Sequence, residues 1–363
     1  MTTTVTEWYA HRPDAAWTCP APSPDAVAFH RGLDGYAPTA LVDLPPLAAE
    51  LGVGRVLVKD ESQRLGLPAF KALGASWALE RALRERAVDA ARLTVVAATD
   101  GNHGRAVARF AIRLGHPARI VLPDGVSDTA AQAIRDEGAD VVVAGGSYDH
   151  AVATAAGIAE TEHGLLIQDT SWEGYTDIPG WIVEGYTTLF TEVDDELGVR
   201  GVGAPDLVVV PVGVGSLLQA ALAHYRAEGR SRRTAVLAAE ATAAACLAPS
   251  LQAGHPVTVD TAVTVMAGLN CGTPSALAWP YIRDGLDAVA AVPDADDLRA
   301  AHDLAALGVA AGPCGAASLA AVRLALTGPG SPERRQHLGV DEHSTVVLVS
   351  TEGVDANPLP EQS

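Results

Sequence analysis

Between Leu93 and Gln168 the chain repeats one unit, a short apolar run rich in β-branched residues followed by about ten to fifteen residues of helical periodicity. Leu93 to Ala98, Ala118 to Leu122, Asp140 to Ala144 and Leu165 to Gln168 read as strands. Arg105 to Leu114, Thr129 to Glu137 and His150 to His163 read as the helices between them. Strands joined by helical crossovers run parallel, and a parallel sheet is covered on both faces, so the repeat excludes all-helical and all-β architectures.

The pattern extends beyond this stretch. A short strand, Arg55 to Val58, and a helix, Ala72 to Ala87, precede it; Asp169 to Thr191 reads as loop and then helix. Strand Asp206 to Pro211, helix Ser216 to Glu228 and strand Thr234 to Ala239 follow, then helices Leu298 to Leu307 and Gly315 to Leu326 and a last strand, Ser344 to Val349. Residues 1–45, rich in Pro, Trp and Tyr, lack periodicity and predict an irregular arm on the surface. Two α/β layers with a cleft between them is the economical architecture, with ligands beyond the carboxyl ends of the strands.

A chain of 363 residues can bury the core of two ordinary domains, and 48% apolar with 19% charged residues places it among globular proteins. The net charge of −19 argues against a nucleic-acid partner, since no basic run stands ready to neutralise phosphates. Cys19, Cys246, Cys271 and Cys314 show no metal-ligand spacing, so no metal site is expected. The first residues carry no signal pattern and no apolar run is long enough to span a bilayer, so a cytoplasmic protein with free thiols is expected, although Cys246 and Cys271 are open to pairing.

Of 25 basic residues only two are lysine, Lys59 and Lys71. Guanidinium stays protonated, whereas an ammonium in an apolar pocket can lose its proton and act as a nucleophile. Lys71 has that setting, with Leu67 to Phe70 before it and Ala72 to Ala75 after it. Lys59, beside Asp60 and Glu61, reads as an ion-paired lysine.

Four polar clusters fall at the carboxyl ends of predicted strands: TDGNHG (99–104), QDTSWEGY (168–175), PVGVGS (211–216) and STEG (350–353). PVGVGS opens a helix, and its backbone N–H groups suit a phosphate. With Glu240 after the next strand it also imitates a dinucleotide-binding turn, although Leu218 stands where the third glycine belongs. A reactive lysine with a phosphate cup points to pyridoxal phosphate.

The order of these motifs resembles the fold type II, tryptophan-synthase-β-like, pyridoxal-phosphate enzymes. Within them GLPAFKALGASWA, ATDGNHGRAVA, QDTSWEGY, MAGLNCGTPSALAWP and VSTEG look like the diaminopropionate ammonia-lyases. The resemblance implies a large cofactor-binding domain of residues 1–75 and 171–363 and a small domain of residues 76–170, each a mostly parallel sheet flanked by helices. It implies that Lys71 carries the cofactor and that Asn102 bonds its ring oxygen. Gly213, Val214, Gly215 and Ser216 would hold the phosphate, and Ser350 would face the pyridine nitrogen, with Thr351 as the alternative. Thr99, Asp100, Gly101 and His103 would cradle the amino-acid substrate.

Asp100 and Asp169 are the acidic pair that the resemblance marks as bases, Asp100 for the L and Asp169 for the D enantiomer. The implied reaction is α,β-elimination of 2,3-diaminopropionate to pyruvate and ammonia by a homodimer. The alternatives are a serine or threonine dehydratase or another β-eliminating amino-acid lyase of the same fold, a nicotinamide-dependent oxidoreductase built on PVGVGS and Glu240, and a non-catalytic amino-acid sensor. Asp100 also suits a helix cap, Asp169 an Asx turn and His103 a packing role. Trp172, Tyr175 and Trp279 suit pocket walls or core, and Cys271 and Cys314 suit small core positions.

Overall fold

The computed structural model describes residues 7–85, 93–99 and 101–360. Asp100 and the last two residues of the helix expected over 72–87 lie outside these. The strands are β1 (Trp8–Ala10), β2 (Leu41–Asp43), β3 (Arg55–Asp60), β4 (Val95–Ala98), β5 (Ala118–Leu122), β6 (Asp140–Val143), β7 (Leu165–Leu166), β8 (Leu207–Pro211), β9 (Ala235–Ala241), β10 (Ala288–Val292) and β11 (Thr345–Ser350). The helices are α1 (Asp25–Arg31), α2 (Pro45–Leu51), α3 (Lys71–Glu85), α4 (Asn102–Arg113), α5 (Asp128–Asp136), α6 (Tyr148–Thr161), α7 (Asp177–Val199), α8 (Ser216–Tyr225), α9 (Leu247–Ala253), α10 (Trp279–Gly285), α11 (Asp294–Ala306), α12 (Pro313–Leu326) and α13 (Ser331–Leu338).

Among the described residues the larger sheet has seven strands in the order β1-β10-β9-β8-β11-β3-β2. Its five inner strands are parallel, and every residue of β8, β9, β10 and β11 is buried, which is why these segments read as unbroken apolar runs. The arm corrects the sequence expectation. Instead of lying irregularly on the surface, it supplies both edge strands: β1 pairs antiparallel with β10, Tyr9 opposite Val289, and β2 pairs antiparallel with β3, Val42 opposite Val58. Runs of three residues are too short to show a period. Strand β10, reading AVAAV, and helices α9, α10 and α13 also escaped the sequence reading.

The smaller sheet, ordered β6-β5-β4-β7, is parallel throughout. Successive side chains of β4 point to opposite faces. Val96 and Ala98 pack with Ala151, Ala155 and Ala159 of α6, while Val95 and Ala97 join Ala106, Val107 and Phe110 of α4 in the main core.

Helix α3 is set against α7 at backbone distance. A Cβ on Gly185 would come within 2.6 Å of the Leu73 carbonyl oxygen, and one on Gly74 within 2.5 Å of the Tyr186 ring. Around that crossing Leu73, Leu79, Ile182, Leu189 and Phe190 are fully buried, each contributing about 1.5–3 kcal/mol. The crossing fixes Lys71, the first residue of α3.

The other lysine belongs to a buried ionic knot. Lys59 Nζ donates to Glu192 Oε2 at 2.5 Å, and Arg64 reaches both Glu192, at 2.6 and 2.7 Å, and Glu61, at 2.6 and 2.8 Å. Its partner is thus a residue of α7 and not the adjacent Asp60 or Glu61. Burial opposes the charge on Glu192, but Arg64 and Lys59 prevail and hold it at about 2. Tyr36 also donates to Glu192, tying the N-terminal segment to the knot.

Candidate active site

Lys71 projects from the start of α3 with Phe70 and Tyr186 beside it, its Nζ 5.4 and 6.0 Å from the two ring centres. Nζ donates to Oδ2 of Asp169 at 2.6 Å. Asp169 lies just after β7, so this bond joins the two sheets' loops. Burial alone would raise the Asp169 carboxyl; the Lys71 ammonium, which also donates a hydrogen bond to it, outweighs burial and holds the group well below the usual carboxylate range. Asp169 is therefore an ionised acceptor, and its side chain is not spent on an Asx turn.

His103, in the first turn of α4, is buried. Its Nε2 donates to the Ile167 carbonyl at 2.8 Å, which assigns the proton to Nε2 and leaves Nδ1 facing Asp169 at 3.9 Å. Burial pushes the imidazole down, so it is neutral. Thr99, also buried, accepts from the Gly101 amide at 2.9 Å and closes the turn into α4. Gly104 must be glycine: a Cβ there would lie 2.2 Å from the Thr99 methyl. Asp100 lies outside the described residues.

PVGVGS opens α8, and the backbone amides of such a helix N-terminus could form a cup for an anion. Gly215 has a φ of +102°, a left-handed value that favours glycine, and caps α8 without a side chain. Gly213 is hemmed in, since a Cβ would come within 2.7 Å of the Gly268 carbonyl oxygen. The segment after Met266 thus braces the cup, with Ser275 N–H bonding Val214 O at 2.8 Å. The Ser216 hydroxyl donates to the Asp169 carbonyl at 3.1 Å, which leaves backbone amides as the cup's ligands.

Asn102, Ser350 and Thr351 meet at the opposite end. Asn102 Nδ2 donates to Glu352 Oε2 at 2.5 Å. Ser350 Oγ and Thr351 Oγ1 are buried and have no hydrogen-bond partner among the described residues. Orphaned buried hydroxyls call for a partner. An amine, a cup of amides, an amide side chain and two unmatched hydroxyls fit the aldehyde, phosphate, ring oxygen and ring nitrogen of pyridoxal phosphate.

The dinucleotide alternative fails on Glu240. Its carboxylate is buried and accepts from the Cys246 and Leu247 amides at 3.0 Å, so it caps α9 and cannot reach a ribose. No disulfide joins the cysteines among the described residues. Cys314 is buried, as expected, while Cys271 is half-buried beside Gly213. Trp172 stacks on Tyr175 at 4.3 Å, the Tyr175 hydroxyl donates to the Leu166 carbonyl and accepts from Gln168 N–H, and Trp279 is buried in the core.

Sequence reasoning missed three contributors. Tyr148 accepts from Gln168 Nε2 at 2.7 Å and lies 3.5 Å from Asp169 Oδ1. Tyr186 forms the floor beneath Lys71. Glu352, inside STEG, was readable as part of a motif, but its partner Asn102 is 250 positions away.

The family description of the pyridoxal-phosphate dependent enzymes matches residues 33–352, and the chain belongs to that family. It is 34% identical over 365 aligned positions to the diaminopropionate ammonia-lyase of Salmonella typhimurium, covering 92% of this chain and 89% of that one. Two crystal structures of diaminopropionate ammonia-lyase from Escherichia coli share the fold. One, in complex with an aminoacrylate-PLP azomethine reaction intermediate, has a TM-score of 0.87 at 31% identity; the other, in complex with D-serine, has 0.88 at 30%. Each alignment covers 96% of this chain and 94% of the other. The fold is therefore type II, and the cofactor is pyridoxal 5′-phosphate. No helix among the described residues is long and apolar enough to cross a membrane.

Proposed function

We propose that the protein is a carbon–nitrogen lyase that converts 2,3-diaminopropionate and water to pyruvate and two molecules of ammonia. The observation that carries this reading is the 2.6 Å contact between Lys71 and the ionised Asp169, in a chain similar to diaminopropionate ammonia-lyases over nine-tenths of its length. The cofactor supplies an electron sink for the carbanion at Cα. Lys71 would hold the cofactor and, as an ammonium, would give its proton to the departing β-amine. Asp169 takes the α-proton of the D enantiomer and Asp100 that of the L enantiomer. Asn102 bonds the ring oxygen, residues 213–216 hold the phosphate, Ser350 faces the ring nitrogen, and Thr99, Gly101 and His103 shape the carboxylate cradle.

Residues 1–75 with 171–363 form the cofactor-binding domain in this reading and residues 76–170 the small one, which the separate four-stranded sheet supports. We further infer a homodimer, the commonest closed assembly, working in the cytoplasm, as four free thiols suggest. Light scattering tests the first and cell fractionation the second.

The decisive assay is pyruvate release from L- and D-diaminopropionate, L-serine and L-threonine, with Lys71→Ala as the blank. Rapid release from a diamino acid, absent in the blank, is the expected result. Bound cofactor without pyruvate from any of the four would discard the ammonia-lyase reading.

A further inference from the structure

Glu352 is 3% exposed, and its two oxygens meet donors from opposite sides. Asn102 Nδ2 donates to Oε2 at 2.5 Å, and the Cys314 N–H in the first turn of α12 donates to Oε1 at 3.3 Å. The space for this side chain is made by Gly312, whose Cβ would lie 3.2 Å from Glu352 Cγ and 2.9 Å from the Gly353 carbonyl oxygen. A buried carboxyl is costly unless each oxygen has a partner, and here both do.

The amide nitrogen of Asn102 carries two donors. One goes to Glu352. The other would be available to the cofactor's ring oxygen in the reading of Asn102 as a cofactor ligand. Without an acceptor at position 352 the amide can make a half-turn and set Oδ1 against that oxygen, replacing an attraction by a repulsion.

We infer that Glu352 is a positioning residue that decides which end of the Asn102 amide faces the cofactor; the inference rests on the reading of Asn102 as a cofactor ligand. Glutamine replaces it only in part. A glutamine has one acceptor for two donors, so either Asn102 or the Cys314 N–H is left facing an NH₂ group.

The test is an absorbance titration of apoprotein with pyridoxal phosphate, using the parent, Glu352→Ala, Glu352→Gln, Asn102→Ala and the Asn102→Ala/Glu352→Ala double variant. Thermal unfolding of each apo form accompanies it. Glu352→Ala is expected to bind the cofactor about tenfold or more weakly and to shift the visible maximum. Glu352→Gln should fall between it and the parent. The double variant should bind no more weakly than Asn102→Ala alone, because one residue acts through the other.

Parent-like affinity and spectrum in Glu352→Ala would overturn the inference, as would a loss that adds in full to that of Asn102→Ala. If Glu352→Ala does not fold, the same comparison made with Glu352→Gln decides. The titration needs no substrate, so its failure and a failure of the pyruvate assay are distinguishable.

Discussion

Lys71 Nζ and Asp169 Oδ2 stand 2.6 Å apart across 98 positions of sequence, so the amine proposed to hold the cofactor and one of the two proposed bases form an ion pair. Asp169→Asn keeps the shape and removes the base. Turnover of D-diaminopropionate should fall about 10²- to 10⁴-fold while that of the L form falls far less, and Asp100→Asn should show the reverse. Equal losses on both enantiomers in either variant would end the division of labour.

Asp100 also bears on substrate choice. A carboxylate suits the ammonium on the β-carbon of a diamino acid, whereas a hydroxyl does not. Asp100→Ser should therefore lower kcat/KM for diaminopropionate and raise it relatively for L-serine and L-threonine. An unchanged ratio among the three would remove Asp100 as the specificity determinant.

Asp297, in the first turn of α11, is fully buried, and neither carboxyl oxygen has a partner among the described residues. Burial first, then Asp294 and Glu352, raise it to about 8, against about 4 for an unfolded aspartate. A raised folded-state value means that its stabilising contribution is complete below about pH 4 and is lost as the pH climbs through about 8. Asp297→Asn mimics the protonated acid, so Tm should be nearer the parent's at pH 5 and clearly higher at pH 9. Glu240, raised by burial to about 7, should leave part of the slope in place. Parallel Tm curves for variant and parent would show that Asp297 does not titrate in this range.

The ionic knot gives a separate test. Lys59→Met leaves Arg64 as the one cation bonded to Glu192 and strips the Thr39 carbonyl of its donor. Breaking a buried pair by removing one partner costs about 3–5 kcal/mol, to be read from urea unfolding. Because Lys59 does not reach the site, the folded variant should still bind cofactor and absorb in the visible like the parent.

Gly185→Ala probes the crossing of α3 and α7. A methyl group 2.6 Å from the Leu73 carbonyl oxygen forces the helices apart, at a cost of about 1–3 kcal/mol. The shift should also misplace Lys71 and weaken cofactor binding, unlike Lys59→Met. Parent-like affinity in a destabilised Gly185→Ala would separate the crossing from the site.

How much of this was legible depended on range. Ala118 to Leu122 is legible to the residue, because Ile120, Val121 and Leu122 form a buried apolar run that one charged residue, Arg119, does not mask. The edge strands at Trp8 and Leu41 were invisible, since three residues carry no period and their pairing partners are hundreds or tens of positions away. In β10 alanine replaces the β-branched residues that would have marked a strand. Lys71 stood out because the chain uses lysine so sparingly, and the four loops because each ends a strand. Asp169 is marked by the resemblance, but its contact with Lys71, like that of Glu352 with Asn102, is not legible in the sequence, because sequence distance conceals contacts made by tertiary packing.

The scarcity of lysine also gives the folded protein an unusual chemical handle. Lys59 is 1% exposed and locked in the ionic knot, whereas the Lys71 side chain is 24% exposed. Apart from the terminal amine, an acylating or reductively alkylating reagent meets a single accessible target, and that target lies at the candidate site. Mass increments on intact protein would then count vacant and occupied sites directly, with the arginines silent throughout.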